Sequence, residues 1–314
     1  MVAPVAEDGS SRRYFRVRKE GRSAILMQVL ADTPGHRISD FIRIGAWLND
    51  IGLRTPKIYE ADEQRGYLLL EDFGDTSFKA ALAQGQAAQE LYTLASDVLK
   101  HLQAQNCKLE LPIYNQSHVH KNHRYVMEWY VPAIKQQPPE SVDEYLAVWK
   151  EIEASLPPCK QGFLHIDFHV ENLMWLPGEE GLKRCGILDF QGAMKGPLAY
   201  DLANLLEDVR ADIPAPVKTA LLQNYDEDFR RWTRVLGTQF HCRVIGQFIK
   251  MAVDDGKSQY LQYIPRIAGY IQNALQDPVL KPLKAFFSAQ KVDFDPSKPL
   301  NFTEIRRYIP PKAS

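Results

Sequence analysis

Two polar loops, each entered from a short apolar run, constrain this chain more than any other feature. Phe163-Leu164 leads into His165-Ile-Asp167-Phe-His-Val-Glu-Asn172, and Leu173-Met-Trp-Leu176 follows it. Cys185-Gly-Ile-Leu188 then leads into Asp189-Phe-Gln191, so Asp167 and Asp189 stand 22 residues apart. Apolar runs of this length bounded by polar residues read as short strands. Two carboxylates and a carboxamide are therefore expected at the ends of short β elements.

The order of these groups carries chemistry. H-x-D-x-x-x-x-N followed by an Asp after an apolar strand is the order protein kinases use. Phosphoryl transfer passes through a loose, charge-spread transition state, so the protein mainly positions groups and supplies charge. Asp167 is expected to accept the proton of the attacking hydroxyl. The carboxylate of Asp189 and the amide oxygen of Asn172 suit Mg²⁺, a hard cation that takes few carboxylates beside phosphate oxygens. ATP and Mg²⁺ are the expected cofactors, and the partner is a small molecule bearing a hydroxyl acceptor.

Composition removes other classes. The net charge of −1 over 314 residues gives no basic field for nucleic acid, and Arg306-Arg307 is too short for such a patch. Cysteines at 107, 159, 185 and 242 show no C-x-x-C spacing, the usage of a reducing compartment. The start Met-Val-Ala-Pro-Val-Ala-Glu-Asp lacks a basic segment and an apolar core, and no apolar run is long enough for a membrane span. A soluble, cytoplasmic protein is expected.

The first 72 residues read as a small sheet with one helix. Tyr14–Val17 and Ala24–Leu30 are strand-like around the polar turn Arg18–Ser23. Ile38, Phe41, Ile42, Trp47, Leu48 and Ile51 recur at helical spacing up to Gly52. Ile58-Tyr59 and Tyr67–Leu70 flank another turn. Beyond Asp72 the pattern becomes helical, at 87–104, 119–134, 142–156, 200–209, 216–236, 240–253 and 259–275. The expected fold is α+β and protein-kinase-like, with a β-rich nucleotide-binding lobe over 1–72 and a mainly helical lobe over 73–314.

The nucleotide side is less explicit. Glu7-Asp-Gly-Ser10-Ser11 is a small turn ahead of a strand, able to bring backbone N–H groups near phosphates. Glu71-Asp72-Phe-Gly contains the D-F-G of protein kinases but precedes the His165 loop, whereas the metal Asp must follow it. Glu71 and Asp72 therefore read as a linker whose backbone meets the adenine edge. A kinase sheet supplies a lysine to the phosphates, yet the corresponding position here is Met27. Arg12, Arg13 and Arg16 are the candidate substitutes, since a guanidinium fork suits phosphate. Glu128, His169, Gln191 and Asp208 are candidate acceptor contacts. Asp201 opens a helix as an N-cap or a brace for the catalytic loop. His118, His120 and His123 lack a carboxylate pattern for a metal and read as exposed residues at a helix start.

With these residues in view, the chain resembles the aminoglycoside phosphotransferase and choline kinase superfamily, within it the bacterial anomeric kinases of N-acetylmuramate and N-acetylglucosamine. Ser11-Arg-Arg-Tyr-Phe-Arg-Val17, Gly66-Tyr-Leu-Leu-Leu-Glu-Asp72, Glu128-Trp-Tyr130, Ile187-Leu-Asp-Phe-Gln-Gly192, Gly196-Pro197 with Tyr200-Asp201, and Asp255-Gly-Lys257 carry the likeness. It implies ATP-dependent phosphorylation of an amino sugar at its anomeric hydroxyl in cell-wall recycling, with Asp167 as base, Asn172 and Asp189 on Mg²⁺, and Glu128 at the substrate. The loop departs from the pattern at Ile166 and His169–Glu171, and Gly192 stands where relatives often carry Asp. An aminoglycoside or choline-type kinase and a nucleotide-binding regulator without catalysis are the alternatives.

Overall fold

The computed structural model describes residues 2–5, 12–29, 37–297, 300 and 305–308. The chain opens with a five-stranded sheet: β1 (Val2–Pro4), β2 (Arg12–Lys19), β3 (Arg22–Val29), β4 (Ile58–Asp62) and β5 (Tyr67–Glu71). Its order is β1-β2-β3-β5-β4, with every neighbouring pair antiparallel. The expected turn Arg18–Ser23 is shorter than its composition suggests. Only Glu20 and Gly21 form it, with φ of 52° and 74°. Two positive φ values are what a two-residue hairpin with the strands' own twist requires. The register sets Tyr14 opposite Met27, and Met27 opposite Leu68.

Helix α1 (Ile38–Asp50) buries Ile38, Phe41, Ile44, Gly45 and Leu48. Its C-terminus closes as expected at Gly52, φ 86°, with Leu53 N–H donating to the Leu48 carbonyl at 3.0 Å. Glycine takes that left-handed position without a Cβ penalty.

By compactness the chain divides into residues 1–112 with 161–221, and residues 113–160 with 222–314. This cut differs from the 72/73 division by element type, because the loop His165–Asn172 packs into the unit that holds the sheet. That first unit adds helices α2 (Phe78–Ala83) and α3 (Ala88–Ala104), the strands β6 (Gln161–Leu164), β7 (Leu173–Trp175), β8 (Cys185–Ile187) and β9 (Met194–Pro197), and the helix Ala199–Leu206. β6 pairs with β9, and β7 pairs with β8, both antiparallel. β9 has no strand signal in the sequence, since Gly196 and Pro197 are poor strand formers. Pairing with β6 makes it a strand.

The second unit is helical. One helix, Glu227–Asp255, replaces the two expected over 216–236 and 240–253. The break lies earlier, where the Asp226 carboxylate accepts the Phe229 N–H at 2.8 Å and caps the new helix. The expected single helix over 119–134 is instead broken. It runs as His118–Lys121, a 3₁₀ turn Asn122–Arg124, a π-type turn Val126–Tyr130 and Val131–Lys135. Pro132 has no N–H to continue the ladder to Glu128. Gly246 lets the long helix approach this segment: a Cβ there would sit 2.1 Å from the Tyr125 carbonyl oxygen. His118 is exposed as expected, but His123 is buried, and burial pushes its pKa down to about 3.

Candidate active site

Strand pairing brings the two loops together. Leu173 lies opposite Ile187 on the β7–β8 pair, so Asn172 precedes one strand where Leu188 follows the other. Leu188 N–H donates to the Asn172 carbonyl at 2.9 Å, and the Leu188 carbonyl accepts from His165 Nε2 at 2.9 Å. Burial lowers the His165 pKa to about 4 against the pull of Asp189. The neutral ring therefore donates from Nε2. His165 pins the residue before Asp189 to the start of the catalytic loop.

The loop is held in an unfavourable backbone conformation. Ile166 has φ 78° and Asp189 φ 58°. A β-branched residue in the left-handed region costs on the order of 1–3 kcal/mol and persists only when its surroundings over-determine it. They do so here. Asp201 accepts the His165 N–H at 2.6 Å and the Ile166 N–H at 2.9 Å, and Asn204 Nδ2 donates to the Ile166 carbonyl at 2.6 Å. Asp201 is thus the brace that its position allowed, while Asn204 carried no signal in the sequence. Burial, aided by the charge of Asp167, pushes the Asp201 pKa up to about 7 against those two N–H donors.

Asp167 stands just beyond the strained residue. Its carbonyl accepts from Asn172 Nδ2 at 2.9 Å and from His169 N–H at 3.1 Å, which curls the loop back on itself. With Nδ2 so engaged, Oδ1 is the Asn172 side-chain atom with the chemistry to accept a hard cation. A charged brace flanks the loop: Glu171 bonds Lys79 at 2.6 Å and Arg210 at 2.8 Å, and Arg210 bonds Asp208 at 3.2 Å.

Asp189 follows β8, and its side chain is 36% exposed. Its Oδ1 accepts from Arg12 Nη2 at 2.6 Å and from Gln191 Nε2 at 2.7 Å. Burial opposes its charge, but Arg12, Gln191 and His165 outweigh burial and its pKa is lowered. A carboxylate kept ionised and already paired with a guanidinium, next to Leu188, whose N–H donates to the carbonyl of the carboxamide residue Asn172, fits a hard divalent ion. No cluster of three or more His, Cys, Asp or Glu side chains suited to a metal occurs among the described residues. A donor set this small suits an ion that arrives on nucleotide phosphates.

The linker after β5 is fixed by its side chains. Both Glu71 oxygens bind Arg54, at 2.6 and 2.8 Å, and Oε2 also accepts the Lys57 N–H at 3.1 Å. Arg54 lies over the Phe73 ring at 4.7 Å and hydrogen-bonds Glu179 at 3.1 Å. Arg16 bonds Asp72 at 2.7 Å and Asp75 at 2.8 Å. The carboxylates of Glu71 and Asp72 thus hold the linker to Arg54 and Arg16, and the Glu71 N–H donates to the Lys57 carbonyl at 2.8 Å. Phe190, between Asp189 and Gln191, packs on Phe41 of α1 with centroids 4.7 Å apart, tying the Asp189 segment to that helix.

Other expected site residues have structural partners. Gln191 is buried and orients Asp189. His169 Nε2 lies 3.2 Å from Asn172 Nδ2, and burial with the Arg210 charge holds its pKa well below the ordinary range. The Asp208 carboxylate is 1% exposed and belongs to the Arg210 brace. Glu128 lies in the second unit, half-buried and 2.8 Å from Arg124, and burial raises its pKa. Ser10 and Ser11 lie outside the described residues.

A strained loop carrying Asp167, pinned to the segment of Asp189 whose carboxylate pairs with Arg12 of the sheet, matches the layout of kinase-fold phosphoryl transfer. The comparisons agree. The profile of the phosphotransferase enzyme family matches residues 2–235, and the chain belongs to that family. An N-acetylmuramate/N-acetylglucosamine kinase of Caulobacter vibrioides is 31% identical over 85% of this chain and 78% of the relative. One of Pseudomonas aeruginosa is 31% identical over 87% and 83%. Among solved structures, a choline/ethanolamine kinase family protein from Mesorhizobium loti superposes with TM-score 0.62 at 12% identity, covering 91% of each chain. The GDP complex of an aminoglycoside 2'-phosphotransferase-IIIa mutant does so with TM-score 0.58 at 14% identity, covering 92% of this chain and 93% of that one. The fold is kinase-like, and the protein is an ATP-dependent phosphotransferase acting on an alcohol group. Among the described residues no helix is long and apolar enough to cross a membrane.

Proposed function

We propose that this enzyme transfers the γ-phosphoryl group of ATP to the anomeric hydroxyl of an amino sugar of the N-acetylmuramate or N-acetylglucosamine type, in cytoplasmic cell-wall recycling. The observation that carries the reading is the loop His165–Asn172, held by Asp201 and Asn204 and pinned to Leu188, in a chain whose relatives over most of its length are kinases of those sugars. The 1–72 segment serves as the nucleotide-binding lobe. Its linker main chain at Glu71 and Asp72 meets the adenine, and Ser10, Ser11 and Arg12 meet the phosphates.

In this mechanism Asp167 accepts the proton of the acceptor hydroxyl as its oxygen bonds to the γ-phosphorus and the bond to the ADP oxygen breaks. Bound Mg²⁺ supplies charge neutralisation at the phosphates, with Asn172 Oδ1 and Asp189 as its protein ligands. The remaining work is positioning. Asn172 fixes the Asp167 main chain, Gln191 fixes Asp189, and the Glu171 brace steadies the loop between them.

The test is ADP release with N-acetylmuramate, N-acetylglucosamine, choline and an aminoglycoside, for wild type and Asp167→Asn. Turnover with the two amino sugars is expected, falling ~10²–10⁴-fold in the variant, the usual worth of a positioned base. Loss of the sugar's reducing end in the product identifies the anomeric position, since a phosphate elsewhere leaves it free. Turnover with choline or the aminoglycoside alone removes the sugar assignment, and undiminished turnover by the variant removes Asp167 as base.

A further inference from the structure

The sheet of a kinase-type enzyme needs a cation for the nucleotide phosphates, and the one cation of β3, Arg22, is exposed at the hairpin end of the strand. Met27 is 1% exposed, between Tyr14 and Leu68 in the register, and fills an apolar site. The cation must come from another strand.

Side chains alternate along a strand, so Arg12, Tyr14 and Arg16 share one face of β2 and Arg13 takes the other. Arg13 is exposed. Arg16 is committed to the linker through Asp72 and Asp75. Arg12, four residues along and about 13 Å away at strand rise, reaches Asp189. One face of β2 therefore runs from the linker to the metal segment with a guanidinium at each end. The Arg12 side chain is only 6% exposed, so it is directed inward by packing.

We propose that Arg12 does the work of the missing lysine by exchanging partners: it neutralises Asp189 before nucleotide binds, and turns to the nucleotide phosphates when a divalent cation takes Asp189. This rests on the reading of Asp189 as a metal ligand. The physical reason is competition for one carboxylate. Asp189 Oδ1 already accepts both Arg12 and Gln191. A dication on the same group repels the guanidinium at close range, and the phosphates that accompany the metal are the new anionic partner. The metal therefore meets a competitor when it comes alone and a released helper when it comes with nucleotide. Metal and nucleotide each raise the affinity for the other, by the reciprocity of linked binding.

The test measures binding, apart from turnover. Mn²⁺ binding to the full chain is followed by electron paramagnetic resonance without nucleotide, and ADP binding by calorimetry in EDTA and in Mn²⁺. Arg12→Gln is expected to bind Mn²⁺ alone about ten-fold more tightly and ADP in EDTA about ten-fold more weakly, with the coupling between them reduced. Arg12→Lys keeps the charge and is expected to lie between wild type and Arg12→Gln on both measurements, and it decides the matter if Arg12→Gln does not fold. Parallel weakening of Mn²⁺ and ADP, or unchanged Mn²⁺ affinity in either variant, overturns the exchange and leaves a structural ion pair. Asp189→Asn separates the underlying reading: Mn²⁺ affinity equal to wild type there removes Asp189 as a metal ligand, whatever Arg12 does.

Discussion

Asp201 holds Ile166 in a left-handed conformation by accepting its N–H at 2.9 Å, while its other oxygen takes the neighbouring His165 N–H at 2.6 Å. The residue before the proposed base is therefore shaped by a helix that starts more than thirty positions later in the chain. Strain at the loop and the hydrogen bonds that balance it form one unit, and it is the part of the site most exposed to mutation.

Asp201 gives the stability of the protein a defined pH dependence. Its pKa rises from the ordinary 3.8 to about 7 on folding, with burial as the main cause. Between those values the unfolded chain releases the proton and the folded chain keeps it. Stability from this group is full below about pH 4, falls as pH rises toward 7, and is level above. The slope is at most ~1.4 kcal/mol per pH unit. Urea denaturation from pH 4.5 to 8 is expected to show a shallower slope in Asp201→Asn than in wild type. Identical slopes would place the titration elsewhere.

Asn204→Ala leaves the Ile166 carbonyl without its 2.6 Å donor in a buried setting. An unsatisfied buried acceptor costs about 1–3 kcal/mol. The melting temperature is expected to drop accordingly, and kcat to fall more than the KM for ATP changes, because the Asn204 amide donates to the loop that carries Asp167. A drop in stability with unchanged kcat would show that the strained conformation is not needed for turnover.

Two glycines are expected to respond unequally. A Cβ at Gly186 meets Phe73 at 2.8 Å and Leu176 at 2.9 Å, both side chains, whereas one at Gly246 meets Tyr125 backbone at 2.1 Å. Gly186→Ala is expected to cost about 1–3 kcal/mol, the range for overpacking, and to weaken activity through β8 and the linker. Gly246→Ala is expected to be the more destabilising, since neither main chain can yield without moving a helix. Thermal denaturation of both variants ranks them.

Arg54→Lys tests the linker. Arg54 binds both oxygens of Glu71, lies over Phe73 and reaches Glu179. An ammonium cannot reproduce the planar fork. The expected loss is roughly 1–3 kcal/mol of stability with a raised KM for ATP and a nearly unchanged KM for the acceptor. Equal effects on both would locate the defect outside the nucleotide linker.

Much of this was legible in local pattern. The α1 stripe and its Gly52 stop, the β5 strand before the linker, and the apolar runs around both loops each announce themselves through spacing. The long helix from Glu227 runs through Gly237, a residue that weakens a helix locally but packs buried here. The broken segment over 118–135 was misjudged because its apolar spacing is helical. Pro132 and the close approach of Gly246 act through missing hydrogen bonds and backbone contact, which hydrophobic spacing does not encode. His169, Gln191 and Asp208 stand as candidate acceptor contacts in the sequence. In the structure one polar atom of each meets a neighbour: His169 meets Asn172, Gln191 meets Asp189 and Asp208 meets Arg210.

The sequence by itself determined the order of chemical groups: a base-type Asp, an Asn five residues on, and a second Asp after an apolar strand. It also determined the change from sheet to helix near residue 72, because period and composition are local properties. Only the tertiary structure decided which residues hold that chemistry in place. Asp201, Asn204 and Arg12 reach the site across long stretches of chain, through strand pairing and helix packing. It likewise decided among the arginines of β2. The alternation of side chains is visible in sequence, but which face meets Asp189 follows from the packing of the sheet, and that packing set Arg12 against the carboxylate and Arg16 against the linker.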